Sequence, residues 1–126
     1  MLLEDGIHCP LFQFQGEINL TPLQIANLGA IIANRGYYYA PHVVRKIQGV
    51  QLKQKYLKRH KVMGTPQAFN EVVAGMVSSA HGGTCAHAVH PGYTLAGKTG
   101  TAQNRGKDHS VFMGFAPVES PKIAIA

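Results

Sequence analysis

The clearest periodicity in the chain begins at Pro22. Ile25, Leu28 and Ile32 recur at helical intervals on one face, Ala26, Ala30 and Ala33 form a small-residue flank beside them, and Asn27 and Asn34 point away. Thr21 and Gln24 have the T-x-x-Q spacing of a capping box, Pro22 suits the first helical position and Gly36 supplies a stop. The pattern predicts a core helix from Pro22 to Arg35, approached closely along its alanine flank. A second helix is predicted after Thr65, a capping residue, and Pro66. Phe69, Val72, Val73, Met76, Val77 and Ala80 keep the helical spacing until Gly82 and Gly83 end it. Met76 reads as core filling rather than as a ligand.

Between the two helices the pattern is weaker. Tyr37, Tyr38 and Tyr39 precede Pro41, which blocks further helix, and His42 to Ile47 reads as a strand. Gln51 to Lys61 is polar and basic with thin periodicity, and is expected to be an exposed hairpin or loop. Beyond Gly83 the period falls to two. Tyr93 to Gln103 is a candidate strand, Asn104 to Asp108 a turn, Ser110 to Ala116 a second strand, and Lys122 to Ala126 the opening of a third whose continuation is expected past the last residue.

Composition narrows the class. Across 126 residues, 45% are hydrophobic and 14% charged, which suits a globular chain rather than a disordered one. Twelve Lys and Arg against six Asp and Glu leave a formal charge of +6, which invites an anionic partner. Much of that excess is local: Arg45, Lys46, Lys53, Lys55, Lys58, Arg59 and Lys61 follow one another with no acid between them. Only Tyr56 interleaves the densest part, so a solvated face is expected there rather than a nucleic-acid reader. Cys9 and Cys85 are too few for a disulfide framework and leave the redox compartment open. Glu4 and Asp5 stand where a signal peptide needs positive charge, and no apolar run approaches the ~18 residues of a membrane span, so no targeting signal is expected in this chain.

Three segments carry candidate chemistry. Gly92 to Thr99 satisfies the phosphate-loop pattern G-x-x-x-x-G-K-[ST] literally, but such a loop needs a buried strand before it and a helix after it. Here a short polar run precedes and turn-rich sequence follows. His81, Cys85, His87 and His90 are metal-capable side chains whose spacing fits no closed zinc pattern; exposed imidazoles beside a small buried thiol is the reading preferred. Lys98-Thr99-Gly100-Thr101-Ala102-Gln103 is the most informative segment. On an edge strand beside a cleft, Lys98 and Gly100 project to one face, and the glycine lets a substrate backbone lie close. Such a strand can bind a peptide by β-augmentation while the ammonium and hydroxyls capture a carboxylate.

With its hairpin into Ser110-Val111-Phe112-Met113-Gly114-Phe115-Ala116-Pro117, this segment resembles the C-terminal half of the transpeptidase domain of class B penicillin-binding proteins, the elongation-type peptidoglycan D,D-transpeptidases, most like those of Bacteroidetes-type bacteria. Gln15 to Gln24, Ala33 to Tyr38, Pro41-His42, Gly83-Thr84, Gly97 to Gln103 and Asp108 to Pro117 appear in that family's order. The resemblance implies an α+β fold, with helices packed on a five-stranded antiparallel sheet whose K-T-G strand lines the cleft, incomplete in this chain. It implies catalytic parts for Lys98, in electrostatic and proton-relay support, and for Thr101, whose backbone N–H would be an oxyanion-hole donor. It implies substrate contacts at Thr99, Gly100, Thr101 and Gln103, with no metal and no cofactor. The implied partners are a stem peptide ending in D-Ala-D-Ala, β-lactams and, through the parent, elongation-complex membrane proteins, with no nucleic acid. The parent would sit in the inner membrane with this domain in the periplasm.

The chain departs from the family's pattern where the nucleophile belongs. Ser78, Ser79, Ser110 and Ser120 are its serines, and none begins S-x-x-K or S-x-N. The expectation is therefore a K-T-G wall without the acylated serine, inactive alone. Residues 1–14 do not match and are expected to reflect a mis-start or frameshift; residues 15–126 are expected to be the truncated C-terminal part of the domain. Two alternatives stay open: a phosphate-loop nucleotide module at Gly92 to Thr99, and a small basic nucleic-acid-binding or interaction protein centred on Lys53 to Lys61.

Overall fold

The computed structural model describes residues 20–102 and 109–126. Its elements are α1 (Pro22–Ala33), β1 (Tyr37–Tyr38), α2 (Gln54–Leu57), β2 (His60–Lys61), α3 (Pro66–Gly82), a 3-10 turn (Ala86–Ala88), β3 (Ala96–Ala102), β4 (His109–Ala116) and β5 (Ile123–Ile125). The segment before Leu20, the expected turn after Gln103 and Gln103 itself lie outside the described residues.

Helix α1 starts as its sequence demands. The Thr21 hydroxyl accepts from Gln24 N–H at 3.3 Å, and Gln24 Oε1 accepts from Thr21 N–H at 2.8 Å, closing the capping box. It ends two residues before the expected Arg35, because Arg35 itself turns left-handed at φ 58°. Gly36 N–H then reaches Ile31 O at 2.9 Å and Arg35 N–H reaches Ile32 O at 3.0 Å, the paired bonds of a Schellman stop. Helix α3 is capped by the Thr65 hydroxyl, which accepts from Ala68 N–H at 3.2 Å, and spans the predicted range.

Strands β3, β4 and β5 form an antiparallel sheet in that order, with Lys98 opposite Met113, Thr99 opposite Phe112, Thr101 opposite Ser110 and Phe115 opposite Ala124. Alternation gives the sheet two different faces. Ala96, Met113 and Phe115 meet Ile25, Ile32 and Ala33 of α1 and Val73 and Met76 of α3 in the main core. The opposite face carries Phe112, which packs with Ala80, Cys85 and Leu95 in a second cluster. The expected close approach to α1 occurs at Gly29 and Ala33 rather than at Ala26 or Ala30. A methyl at Gly29 would lie 3.3 Å from Met113 Cγ, and Ala33 is buried.

The segment between the helices corrects the sequence reading. Residues 42–47 form no strand; Val43, Val44 and Ile47 are exposed, and Ile47 makes only an isolated bridge to Val50. Strand propensity without a partner strand gives neither ladder bonds nor a buried face. The strand present is instead β1, which pairs with β2 through Tyr37 opposite Lys61 and Tyr38 opposite His60. Arg59 lies 3.5 Å over the Tyr37 ring, and Tyr38 stacks on His60. Gln51 to Lys61 is largely exposed as expected, but it folds as the single turn α2 and strand β2 rather than as a hairpin of its own. The sequence reading of the C-terminal strands agrees closely with β4 and β5, while β3 begins at Ala96 rather than Tyr93.

Candidate functional site

Within the sheet β3 has one neighbour among the described strands, so one edge of it is open. Helix α3 packs beside β3 and turns Val72, Gly75, Met76 and Ser79, spaced along one helical face, toward a groove that Thr84, Lys98 and Met113 complete. The groove holds about 500 Å³. Its walls are apolar except for two hydroxyls and one ammonium, a lining suited to fixing a few polar groups of a ligand.

Lys98 is exposed, and its Nζ donates to the carbonyl oxygen of Thr99. Successive residues of an antiparallel strand turn their backbone groups to opposite edges. A Thr99 carbonyl within reach of the ammonium is one turned to the open edge, and two residues on the N–H and C=O of Thr101 look the same way. An extended ligand backbone laid along β3 would therefore meet donors and acceptors that no neighbouring strand among the described residues uses. Gly100, on the Lys98 side of the strand, adds no side chain to obstruct it. Gln103 lies outside the described residues.

The Thr99 hydroxyl faces away from Lys98 and donates to Thr84 Oγ1 at 2.8 Å. Thr84 is brought there by the stop of α3. Gly83 N–H and Cys85 N–H both donate to Ser79 O, at 3.2 and 3.1 Å, folding the chain back over the last helical turn. A methyl at Gly83 would stand 2.9 Å from that same oxygen, so this return requires glycine. Cys85 then buries against Gly97, where an added methyl would meet its Cβ at 3.5 Å. Sequence reasoning noted Gly83-Thr84 without giving Thr84 a contact. The glycine pair ending a helix that packs on the K-T-G strand was the available signal.

The other candidate segments are not drawn into the groove. Lys98 and Thr99 sit mid-strand in β3, and no helix begins after them among the described residues, so the backbone N–H cradle of a phosphate loop is not formed. His81 Nδ1 lies 3.0 Å from Val77 O, and His90 stacks on Tyr93 while its Nδ1 accepts from Gly92 N–H at 3.0 Å. Among the described residues no three His, Cys, Asp or Glu side chains converge as metal ligands, and no helix is long and apolar enough to cross a membrane.

Comparison with known proteins bears on the same region. Residues 11–126 match the family model described as the penicillin binding protein transpeptidase domain. The chain is 34% identical to the peptidoglycan D,D-transpeptidase MrdA of Acinetobacter baumannii, over 89% of this chain and 20% of that protein. It is 33% identical to the peptidoglycan D,D-transpeptidase PbpA of Mycobacterium tuberculosis, over 89% of this chain and 24% of that one. Among solved structures, Pseudomonas aeruginosa PBP2 in complex with WCK 5153 superposes with a TM-score of 0.74 at 36% identity, covering 88% of this chain and 26% of the other. Penicillin-binding protein A from M. tuberculosis, as its imipenem acyl-enzyme complex, gives 0.71 at 31% identity, with 88% and 26% covered. The chain thus spans about a fifth to a quarter of the curated relatives it matches.

Proposed function

The chain belongs to the penicillin-binding protein transpeptidase family, and from that premise we propose that it forms the K-T-G wall of a cleft that binds peptidoglycan stem peptides ending in D-Ala-D-Ala, and β-lactams in their place. The observation that carries this reading is the open edge of β3, with Lys98 lining a groove of apolar walls and the Thr99 hydroxyl bonded to Thr84, which lines the same groove. Lys98 supplies the positive potential that draws a carboxylate and supports proton movement at the reacting serine. Thr99 and Thr101 hold the carboxylate through their hydroxyls, and Gly100 admits the peptide backbone. Thr101 N–H donates to the oxyanion of the tetrahedral intermediate, a role in which one donor is worth about 3 to 4 kcal/mol. Gln103 extends the substrate contacts.

The acylated serine is not encoded in this sequence, which holds no S-x-x-K or S-x-N. The complete enzyme would bring the nucleophile, its lysine and the second oxyanion donor to this wall, then acylate on the penultimate D-alanine and release the terminal one. Its place would be the inner membrane, with this domain on the periplasmic side and the elongation-complex membrane proteins as neighbours. Neither alternative has a supporting geometry: Lys98 is in a strand rather than at a helix start, and α2 is a single exposed turn.

The test is a chimera in which residues 20–126 replace the matching segment of the P. aeruginosa relative, with folding checked by thermal melting. Acylation by a fluorescent penicillin is expected, falling about 100-fold or more in Lys98→Ala. An unchanged acylation rate in Lys98→Ala would remove the proposal.

A further inference from the structure

Thr99 lies at one end of a row of hydroxyl groups that leads away from the groove to a buried thiol. Its Oγ1 donates to Thr84 Oγ1 at 2.8 Å, Thr84 Oγ1 lies 3.4 Å from Ser79 Oγ, and Ser79 Oγ donates to Cys85 Sγ at 3.4 Å. A hydroxyl has one proton to give and two lone pairs to receive. Ser79 gives its proton to the sulfur, so the contact between Ser79 and Thr84 is donated by Thr84, which leaves Thr84 to accept from Thr99. All the donors therefore point inward, and the row ends on Cys85, which is 3% exposed.

That direction is the wrong one for holding an anion. A carboxylate only accepts, so Thr99 must turn its proton out to the ligand. We propose that carboxylate binding reverses the whole row, and that Thr84 is a positioning residue which, by donating to Thr99 in the bound state, makes the Thr99 hydroxyl an effective carboxylate donor. Cys85 S–H, a weak donor, turns to Ser79, Ser79 to Thr84, Thr84 to Thr99 and Thr99 to the carboxylate. Every group keeps its own proton; only the hydroxyl and thiol rotors turn. The bonds within the row are exchanged end for end rather than broken, so the ligand gains its bond without an internal loss. Each donated bond also polarises the next hydroxyl in the row. Thr84 is exposed, so this role does not rest on its packing.

The inference rests on the reading of Thr99 as a carboxylate holder, and its test separates the two. The 126-residue chain is titrated by NMR with N-acetyl-D-alanyl-D-alanine and with the C-terminal amide of the same dipeptide, and the quantity read is the preference for the acid. Thr99→Val is expected to abolish the preference, Thr84→Val to reduce it about fivefold, and Thr84→Ser to restore it. A preference undiminished in Thr84→Val, while Thr99→Val loses it, overturns the relay and leaves the carboxylate reading intact. No preference in the unaltered chain, or one that survives Thr99→Val, overturns that reading and the relay with it. Loss in both Thr84→Val and Thr84→Ser also overturns the relay, because it shows a need for the threonine methyl rather than for the hydroxyl.

Discussion

Arg35 ties the end of α1 to the start of α3 through Asn70: its Nε donates to Asn70 Oδ1 at 2.9 Å, while Nη1 donates to the carbonyls of Ile32 and Ala33 at 3.2 and 2.9 Å. One guanidinium thus gives the Ala33 carbonyl a donor, adds a second to Ile32 O beside the Arg35 N–H, and reaches a residue far off in sequence. The same residue adopts φ 58°, a conformation that disfavours a side chain with Cβ. Arg35→Ala keeps the strained backbone and loses the bonds, so urea denaturation should show a loss of about 1 to 3 kcal/mol. Arg35→Gly should be milder because the strain is relieved. In a double-mutant cycle Asn70→Ala should couple to Arg35→Ala; strict additivity would show that the reach to Asn70 contributes nothing.

Gly114 stands on the strand that pairs with β3, opposite Gly97. A methyl there would come within 2.7 Å of Phe112 Cζ and 3.0 Å of Ala96 O, and the second atom is backbone that cannot step aside. Gly114→Ala should therefore cost about 1 to 3 kcal/mol and disturb β3 itself. Amide exchange along Ala96–Ala102 should quicken in this variant; unchanged protection would mean that the sheet absorbs the methyl.

Thr94 Oγ1 donates to Glu119 Oε2, and this bond, with a backbone hydrogen bond at Glu119, holds the exposed carboxyl below its ordinary value near 4.5. A carboxylate favoured by folding contributes stability that is fully present above that ordinary value and is lost as the pH falls through the lowered one. The stabilities of the unaltered chain and of Glu119→Gln should therefore differ at neutral pH and converge in acid. A difference that grows below pH 4.5 would reverse the sign and refute the assignment.

With no S-x-x-K among Ser78, Ser79, Ser110 and Ser120, the isolated chain should show no mass increase after incubation with a penicillin. A stoichiometric adduct would locate an acylated group outside any S-x-x-K motif.

Much of this structure was legible because its signals are local. The capping residues Thr21 and Thr65, the prolines that follow them and the apolar spacing up to Ala80 state α3 over its whole length and α1 to within two residues of its end, and alternation in Ala96–Ala102 and His109–Ala116 states the hairpin. Residues 42–47 misled because β-branched residues state a strand propensity and not the presence of a partner; their apolar groups stay exposed. The pairing of Tyr38 with His60 and the bond from Arg35 to Asn70 join residues distant in sequence, and no local period reports them. Lys98, Thr99 and Gly100 are proposed as site residues from the motif. Thr84 went without a role because its contact with Thr99 arises only when the Gly83 turn folds back against β3.

The central claim is that the open edge of β3 is a wall that binds a carboxylate. A titration of the isolated chain with benzylpenicillin, followed by backbone amide NMR, tests it most directly. Reversible, saturable shifts concentrated at Lys98, Thr99, Gly100, Thr101 and Thr84, and lost in Lys98→Ala, are the predicted result. Shifts that spare β3, or that persist undiminished in Lys98→Ala, would contradict it.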